Sequence, residues 1–500
     1  MHFTRRQFLA STAAIGAASA TSGLLMPSRA LAEVPTLIRV ETRTIEVKGQ
    51  PATVFGIAQP DGTRGIYTTA GERFRVLLEN SINEATLIHW HGLTPPMGQD
   101  GVPDLSQPPL EPGGRYDYDF HLARPGTNWM HSHLGLQEQR LMAAPLIVRD
   151  PAEYDEDVQE VVVMFHDFTF RDPADILAEL RDGGHAAHGA EDDARAFDER
   201  VAHNSSGHGD HAGMKHSESG HGGHDVPGAG QPAHLHDVEF DAFLANDRTL
   251  DDPEVVRVER GGHLRLRLIN GASATSFWLD LGELKGRLVA VDGMPIQPLI
   301  GSRFEFPIAQ RLDILLDLPN EPGAWPVLAL REGERARTGV VLATRDGALA
   351  RLKSESDDAA PPVGLDLEQR LQAKYPIEPR HADRRHALII TEGPGYLWKL
   401  NGAAHGNHEP LRVAEGERVE IEIIDRTTMG HPMHLHGHHF QVVAINGRRF
   451  AGAMRDTIWV PAGGSVTVAF DANNSGEWAL HCHHLYHMAS GMMTTLAYES

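Results

Sequence analysis

Four of the strings of the form His-x-His constrain the fold of this chain more than any other feature of its sequence. Two lie in the first third and two near the C-terminus: His89-Trp90-His91, His131-Ser132-His133, His434-Leu435-His436 and His481-Cys482-His483. Successive side chains of a β-strand point to opposite faces, so each string on a strand presents two imidazoles on the same face. Isolated pairs of this kind occur by chance. Four of them, one enclosing the sole cysteine, indicate that the chain binds more than one metal ion.

The string around Cys482 has the composition of a copper site. It is followed by His487 and Met492, and His431 lies upstream of it. Thiolate, imidazole and a weak thioether together select copper, and two histidines, one cysteine and an axial methionine describe a blue electron-transfer site. Because neighbouring residues of a strand face opposite ways, Cys482 can serve this site while the histidines beside it serve another. We therefore predict a blue copper site of His431, Cys482, His487 and Met492 and a metal cluster held by the eight paired histidines.

A loose threefold repeat predicts the fold class. Runs in which apolar and polar residues alternate follow Gly71, Gly262 and Gly416, and such alternation is typical of a half-buried strand. His89 and His434 each lie eighteen residues after the first and the last of these glycines. Short strands separated by turn residues, without strong helical periodicity, predict an all-β chain of three consecutive β-sandwich domains.

A second element of the repeat indicates where the ligands are absent. Gly126 lies five residues before His131, and Gly476 lies five residues before His481. Each glycine is followed closely by a tryptophan. In the middle copy, Leu328 and Leu330 occupy the positions of the two histidines. We therefore expect the middle sandwich to carry core residues where the other two carry ligands.

Composition suggests the domain boundaries and excludes some functions. At the usual ~150 residues per domain, 500 residues suggest about three domains. We predict an export segment 1–32, domains 33–155, 156–345 and 381–500, and a linker 346–380 rich in Asp, Ala, Pro and Ser. The net charge of −23 argues against nucleic-acid binding and favours cationic ligands, and one cysteine allows no internal disulfide.

The N-terminus has the pattern of a twin-arginine export signal. Arg5 and Arg6 precede an apolar stretch rich in Ala and Gly, and Ala30-Leu31-Ala32 offers a cleavage site. This predicts export of the folded protein to the periplasm by the twin-arginine machinery. No later segment has the ~20 consecutive apolar residues of a membrane span.

A segment at 181–236 differs in kind from the rest of the second domain. It holds ten histidines among Gly, Asp, Ser and Ala, a composition that cannot build a core and predicts a loop. Two interpretations remain open, a solvated insertion without a specific role and a weak, multivalent trap for metal ions.

Four stretches resemble the copper motifs of the multicopper oxidases, the family of laccases, bilirubin oxidases and bacterial cuprous oxidases. They are HWHG, HSH, HPMHLHGHHF and HCHHLYHMASGM, which begin at His89, His131, His431 and His481. The resemblance covers essentially the whole chain after the export segment. It implies three cupredoxin-like domains of Greek-key topology and four copper ions, with a cluster between the first and third domains, so that the middle domain needs no ligands.

The resemblance also divides the ligands among three kinds of copper. Carried over position by position, it implies that electrons from substrate enter at type 1 copper, pass through Cys482 and reduce O2 to two waters at the cluster. The implied ligands are His431, Cys482, His487 and Met492 for type 1 copper, His89 and His434 for type 2 copper, and His91, His131, His133, His436, His481 and His483 for the type 3 pair.

Proton delivery is the remaining catalytic requirement. Asp100 lies nine residues after His91, where family members carry an acid near the cluster, and we expect it to donate protons to oxygen. An Asp-Gly turn without a catalytic role is the alternative. The bacterial cuprous oxidases also carry a glutamate directly after the second type 1 histidine. This chain has Met488 there, so a proton-relay or hydrogen-bonding element is missing or replaced.

Cuprous ion is the reducing substrate that the sequence favours, because the export signal, the acidic charge and the His-rich insertion fit copper tolerance. Four methionines near the type 1 ligands are either soft contacts for Cu(I) or core packing: Met429, Met433, Met488 and Met493. Two other functions remain as alternatives. One is a laccase-type oxidase of phenols or aromatic amines, and the other is a periplasmic copper-binding protein that buffers copper through the insertion without turnover.

Overall fold

A computed structural model describes residues 34–183 and 235–499, and these residues are almost entirely β-strands and their connections. The predicted export segment 1–32 and most of the predicted His-rich insertion, 184–234, lie outside the described residues. Within the described part of the chain, 31 strands form six sheets, two in each third.

The first eight strands form what we call the N-terminal domain. They are β1 (Thr36–Val47), β2 (Gln50–Ala58), β3 (Ile66–Thr69), β4 (Arg73–Asn80), β5 (Ile88–His89), β6 (Arg115–His121), β7 (Gly126–Ser132) and β8 (Ala143–Arg149). One sheet has the order β2-β1-β4-β6 and the other the order β3-β8-β7-β5. Three 3-10 turns interrupt the connections, at Met97–Gln99, Gln137–Arg140 and Pro151–Asp155.

The next eleven strands form the middle domain. They are β9 (Gln159–Phe168), β10 (Ala242–Ala245), β11 (Val255–Arg257), β12 (His263–Asn270), β13 (Phe277–Asp280), β14 (Gly286–Val291), β15 (Met294–Gly301), β16 (Arg303–Phe306), β17 (Arg311–Asp317), β18 (Ala324–Arg331) and β19 (Arg337–Ala343). Their sheets have the orders β10-β9-β12-β17-β14-β15 and β11-β19-β18-β13-β16.

The last twelve strands form the C-terminal domain. They are β20 (Arg384–Gly393), β21 (Leu397–Leu400), β22 (Leu411–Val413), β23 (Arg418–Asp425), β24 (His431–Leu435), β25 (Phe440–Ile445), β26 (Arg448–Arg449), β27 (Met454–Arg455), β28 (Thr457–Val460), β29 (Ser465–Asp471), β30 (Glu477–Cys482) and β31 (Met493–Tyr498). One sheet has the order β21-β20-β23-β29-β25-β26, with β27 paired to β25, and the other the order β22-β31-β30-β24-β28.

The three domains share one strand order, which confirms the repeat. Each contains an equivalent parallel pair, β1 with β4, β9 with β12, and β20 with β23, and the second strand of each pair is one of the predicted alternating runs. The second sheets also correspond, as β3-β8-β7-β5, β11-β19-β18-β13 and β22-β31-β30-β24. In the middle copy, Leu330 is buried as predicted, whereas Leu328 is only half-buried.

Each domain encloses a hydrophobic core between its two sheets. Alternation along the strands places one set of side chains inward, where residues from both sheets form a single cluster. The inward residues include Val76 and Leu146 in the N-terminal domain, Leu266 and Val340 in the middle domain, and Ile421 and Leu496 in the C-terminal domain. The predicted all-β fold of three β-sandwiches is therefore confirmed.

The predicted linker 346–380, which lies wholly within the described residues, has no strand but is packed against two domains. Val363 and Leu365 enter the core of the C-terminal domain, and Leu367 enters that of the middle domain. The buried carboxylate of Glu305 accepts hydrogen bonds from the backbone N–H groups of Gly364, at 2.8 Å, and Leu367, at 2.7 Å. The segment therefore connects the domains as a packed strap that includes a 3-10 turn at Glu368–Arg370.

Helices are few in the described residues. α1 (Pro173–Asp182) begins at Asp172, whose side chain accepts a hydrogen bond from Ala174 N, and α2 (Leu485–Ala489) follows β30. Neither of these helices is long and apolar enough to cross a membrane.

Candidate metal centres

The four His-x-His strings lie on equivalent strands of the first and last domains. His89 ends β5 and faces His131 of β7 across the sheet, and His434 of β24 faces His481 of β30 in the same way. The second histidine of each string follows two residues later, at or just beyond the strand end. The shared strand order thus explains why strings about 350 residues apart in the chain meet in one place.

All eight imidazoles are buried and converge between the two domains. His133 is the most exposed, at 8%. Within each of three groups, the candidate ligand atoms lie within 4.8 Å of one another. The groups are His89, His91 and His434; His91, His131 and His483; and His133, His436 and His481.

Ring nitrogens in two of these groups face one another at the distances expected of ligands that share an ion. Nε2 of His481 lies 2.9 Å from Nε2 of His436 and 3.2 Å from Nε2 of His133. Nε2 of His131 lies 3.3 Å from Nε2 of His483. Two nitrogens that bind one ion at about 2.0 Å each lie roughly 3 Å apart, so the spacing fits bound metal.

Other ring nitrogens are buried without any partner. His89 and His434 each donate Nδ1–H to a backbone carbonyl at 2.8 Å, those of Asp100 and Asp456, which leaves their Nε2 atoms unpaired. His91 has the opposite arrangement, since its Nε2 contacts Asp456 Oδ1 at 3.1 Å and its Nδ1 is unpaired. An unsatisfied buried nitrogen is costly, and a metal ion would satisfy each of these lone pairs.

Burial also favours the protonation state that binds metal. Desolvation lowers the pKa of seven of the eight imidazoles, to about 3 for His481 and well below the usual value for six others: His91, His131, His133, His434, His436 and His483. A neutral imidazole has the free lone pair that a metal requires. The eight-histidine centre is therefore poised to bind metal at neutral pH.

Asp100 lies at this centre, as predicted. Its Oδ2 accepts a hydrogen bond from His436 Nδ1 at 2.8 Å, and the side chain is 2% exposed. It ends the 3-10 turn Met97–Gln99 and precedes Gly101, which has φ of +85°. A Cβ on Gly101 would lie 1.9 Å from the carbonyl oxygen of Ile88, so only glycine lets the turn pack against β5. Asp100 therefore both forms the Asp-Gly turn and contacts the candidate metal ligand His436.

Two further buried carboxylates contact the centre and escaped the sequence analysis. Glu138, in the 3-10 turn Gln137–Arg140, lies 2.9 Å from His131 Nδ1. Asp456 contacts His91 and His434 and is bound by Arg311 of the middle domain, with one nitrogen–oxygen distance of 2.8 Å. The sequence offers only a weak sign of either residue, namely a charged side chain close to histidines or within an apolar stretch. Such positions are too common to identify Glu138 or Asp456.

Burial raises the pKa of the Glu138 carboxyl well above its usual range, and Asp167 adds to this effect. For Asp456 burial also raises the pKa, but the guanidinium of Arg311 outweighs it, so the pKa lies below its usual value. A cation held by the neighbouring histidines would favour the charged form of both carboxylates.

The second centre brings together three of its four predicted ligands within direct contact range. Nδ1 of His431 lies 3.2 Å from Nδ1 of His487, and Cys482 Sγ lies 3.8 Å from each of these nitrogens. All three side chains are fully buried, and burial raises the pKa of the Cys482 thiol. Met492 is buried in the same core, and its backbone carbonyl accepts a hydrogen bond from Cys482 N at 3.1 Å.

The outer nitrogens of both histidines are held in place. His431 Nε2 lies 2.9 Å from Thr427 Oγ1, and His487 Nε2–H donates to Asp237 Oδ2 at 2.7 Å. The rings of Trp398 and His484 stack on His487, with centroids 4.0 and 3.8 Å away. These contacts leave both Nδ1 atoms directed at the thiol. Sequence analysis missed Asp237 because it follows directly after the His-rich insertion of another domain.

The two centres are covalently joined. His481 and His483 belong to the eight-histidine centre and Cys482 to the other, as the alternation along β30 predicts. Thiolate with two imidazoles is a donor set that suits copper, and clustered imidazoles suit copper as well.

Comparison with known proteins agrees with this arrangement. Three family models, each described as multicopper oxidase, match residues 39–153, 160–345 and 378–500. The chain is 28% identical to multicopper oxidase MmcO of Mycobacterium tuberculosis, over 87% of this chain and 81% of that protein. It is 26% identical to copper resistance protein A of Escherichia coli, over 86% of each. The solved structure of a laccase from Botrytis aclada shares the fold, with a TM-score of 0.72 at 21% identity, over 92% of this chain and 87% of that one.

Proposed function

The chain belongs to the multicopper oxidase family, and on this basis we propose that it oxidises cuprous ion and reduces O2 to water. The observation that carries the proposal is the juxtaposition of a Cys-His-His centre and an eight-histidine centre on the single tripeptide His481-Cys482-His483. The copper ions would accept one electron at a time from substrate at the first centre and supply four to O2 at the second.

We assign the ligands as the sequence predicts. His431, Cys482 and His487, with Met492 as axial ligand, would hold type 1 copper. The two histidines with unpaired Nε2 atoms, His89 and His434, would hold type 2 copper. The type 3 pair would be held by His91, His131 and His483 on one side and by His133, His436 and His481 on the other.

Asp237 supports a cationic substrate. Its carboxylate accepts the hydrogen bond from His487 Nε2 and another from the Tyr396 hydroxyl, so it lies at the outer edge of the type 1 ligand. His487 itself is fully buried, which keeps a bulky reductant from touching the imidazole. A carboxylate at this edge attracts a cation, as does the net charge of −23.

A laccase-type function is the second candidate. Trp398 and Tyr396 place aromatic rings beside His487, with centroid distances of 4.0 and 5.8 Å. Both side chains are buried, so a phenol would pass its electron through this aromatic layer without contacting His487. Three of the four soft methionines favour neither reading, because Met429, Met433 and Met493 are buried at 8% exposure or less, whereas Met488 is half-buried.

Oxygen uptake by the copper-loaded protein should separate these functions. We expect faster turnover of Cu(I) than of a simple phenol, after the uncatalysed rate is subtracted. Asp237→Asn should raise the KM for Cu(I) by about 10-fold or more, since it removes a negative charge beside His487 and electrostatic focusing typically changes association by about 10- to 1,000-fold. The loss of the hydrogen bond to His487 affects both substrates, so the KM for the phenol should rise less than that for Cu(I).

Glu239→Gln provides the matched control for Asp237→Asn. Glu239 lies two residues away, its side chain is 84% exposed, and it pairs with Arg331 rather than with His487. The change removes the same charge from the same segment and should leave both activities intact. Faster turnover of the phenol than of Cu(I), together with equal effects of Asp237→Asn and Glu239→Gln on the KM for Cu(I), would favour the laccase-type function.

The copper-buffer alternative is tested by the insertion. Replacing residues 184–234 by a short Gly/Ser linker should weaken turnover at low Cu(I) and leave the maximal rate unchanged if the insertion feeds the enzyme. Copper binding without oxygen uptake in the unaltered protein would instead establish a buffer. Export to the periplasm stays a prediction from the twin-arginine segment and is part of the same proposal.

Asp100→Asn should slow oxygen reduction more than reduction of type 1 copper. The Asp100 carboxyl lies within hydrogen-bonding distance of His436, and a positioned acid typically contributes ~100- to 10,000-fold to a proton-dependent step. Stopped-flow spectroscopy can follow the bleaching and return of the blue colour separately. Asp104→Asn is the control, because Asp104 is exposed in the same loop and its φ of +61° suits asparagine. Equal slowing of both steps, or of neither, would remove Asp100 from proton delivery.

A further inference from the structure

Glu138 lies between two histidines that come from different domains. Its Oε2 is 2.9 Å from Nδ1 of His131 in the N-terminal domain, and its Oε1 is 3.8 Å from Nδ1 of His483 in the C-terminal domain. Oε1 and His483 Nδ1 are both buried without a hydrogen-bond partner, and they face each other. A closer approach by less than an ångström would satisfy both atoms at once.

The turn that carries Glu138 is locked on one side by Gln137. The amide oxygen of Gln137 accepts hydrogen bonds from the hydroxyls of Thr86, at 2.8 Å, and Ser132, at 2.7 Å. Its amide nitrogen donates to Glu84 Oε1 and to the carbonyl of Ala85, both at 2.8 Å. The full hydrogen-bonding capacity of this buried amide is thereby used within the N-terminal domain.

Gln139 locks the other side of the turn to the two remaining domains. Its amide nitrogen donates to Asp167 Oδ1 at 3.3 Å, and its oxygen accepts from Ser273 of the middle domain. The same oxygen accepts from the hydroxyl of Tyr486 in the C-terminal domain at 3.3 Å. The 3-10 turn therefore joins all three domains, and the carboxylate between the two amides has a defined direction.

Four of the other ligands have acceptors of their own for the ring nitrogen turned away from the centre, and His131 Nδ1 lies 3.1 Å from the carbonyl oxygen of Ser132 as well as 2.9 Å from Glu138. His89, His434 and His481 donate to backbone carbonyls, and His436 donates to Asp100. His483 has no such carbonyl among its described contacts, and Glu138 is the acceptor nearest to its Nδ1. A hydrogen bond to the outer nitrogen sets the tautomer and orientation of a metal-binding imidazole.

We propose that Glu138 is a positioning residue that sets the tautomer of His483, shares that of His131 with the Ser132 carbonyl, and thereby assembles one copper site from two domains. The proposal rests on the proposed function, since it concerns the type 3 copper held by His91, His131 and His483. With Nδ1 of His131 and His483 protonated toward the carboxylate, both Nε2 lone pairs point at the same ion.

Glu138→Gln tests this role with little change of shape. The glutamine oxygen can accept from one imidazole, but its amide group is a donor and opposes the N–H of the other. We expect affinity for the copper of this site to fall by about 10- to 100-fold, the usual effect of removing such a partner. Copper per chain after dialysis against a graded chelator measures this. EPR provides a second readout, because losing one ion of a coupled, silent pair leaves the other ion visible.

Two further variants make the test decisive. Glu332→Gln makes the same substitution at another buried glutamate, whose side chain accepts from Val363 N at 2.8 Å, and should leave copper content and EPR unchanged. Glu138→Asp keeps the charge and should retain more copper than Glu138→Gln, and it carries the test if the glutamine variant does not fold. If both Glu138 variants keep the copper content of the unaltered protein and an EPR-silent copper pair, the role of Glu138 is overturned and the proposed function stands. Absence of a coupled pair in the unaltered protein would overturn the proposed function with it.

Discussion

Replacing Cys482 by serine is expected to abolish both the blue colour and the oxidase activity while the protein stays folded. A serine hydroxyl is not ionised at neutral pH and is a hard oxygen donor, whereas copper of the blue type requires the soft thiolate. Cys482 also provides the covalent connection from the proposed type 1 ligands to His481 and His483. Both the entry of electrons and their path to the eight-histidine centre are therefore lost.

The fold should survive this substitution, because serine and cysteine have nearly the same shape. Cys482 is fully buried, so an unpaired hydroxyl in its place should cost about 1–3 kcal/mol of unfolding free energy. Absorption spectra, copper per chain and oxygen uptake with Cu(I) check the prediction. We expect one copper fewer per chain and oxygen uptake at the uncatalysed rate.

Met433→Leu is the matched control. Met433 faces Cys482 across β24 and β30 and is fully buried, and the change nearly conserves its volume. It should leave colour and activity in place, which would also assign Met433 to core packing rather than to Cu(I) binding. Blue colour or turnover in Cys482→Ser would show that another donor set is the site of electron entry.

Much of the fold and of the candidate ligand set could be predicted from the sequence, because both follow from local patterns. Alternation along a strand predicts which histidines share a face, and the repeated spacing from Gly71 and Gly416 places His89 and His434 in equivalent positions. The structure brings these residues together as expected. Asp100 was identified differently, from the resemblance to the family, whose members carry an acid near the cluster at this place after His91.

The carboxylates and cations around the ligands could not be predicted in this manner. Glu138, Asp237 and Asp456 reach ligands from other strands or other domains, and no spacing along the chain encodes these contacts. Aspartate and glutamate are mostly surface residues, so their burial is visible only in the fold. The middle domain was expected to supply no metal ligands, but it supplies two residues around them. Asp237 contacts His487, and Arg311 binds Asp456 beside His91.

Arg311→Met is expected to have the largest effect on stability of the changes considered. Arg311 is fully buried at the start of β17 and binds Asp456 of the C-terminal domain. It also lies 3.6 Å from Asp292 and donates to the carbonyl of Thr127 in the N-terminal domain at 3.2 Å. One guanidinium therefore joins all three domains beside the eight-histidine centre.

Methionine fills a similar volume but leaves Asp456 without its cation in a dry environment. Removing one partner of a buried ion pair typically costs about 3–5 kcal/mol of unfolding free energy. His91 should be affected too, because its Nε2 lies 3.1 Å from Oδ1 of Asp456, the carboxylate that Arg311 binds. We therefore expect a lower denaturation midpoint together with weaker retention of copper.

The dependence on pH distinguishes loss of the ion pair from a packing defect. In the unaltered protein Arg311 keeps the pKa of Asp456 below its usual value, so the pair contributes stability above that value and loses it as pH falls. Without Arg311, burial raises the pKa against only the weaker opposing effects of His439 and the Thr457 hydroxyl, so we expect the folded variant to bind a proton more readily than the unfolded chain. Its stability should then fall as pH rises through the raised pKa, and the gap to the unaltered protein should be smallest in acid.

Denaturant unfolding of the copper-free proteins near pH 5 and pH 8 measures this gap. Arg380→Met is the control, because Arg380 pairs with Asp471 at the surface, where both side chains are more than 40% exposed, and such pairs contribute little. A gap that is the same at both pH values would assign the loss to packing around β17. A gap that widens with pH would establish that the charge of Arg311 holds Asp456, and through it His91, in place.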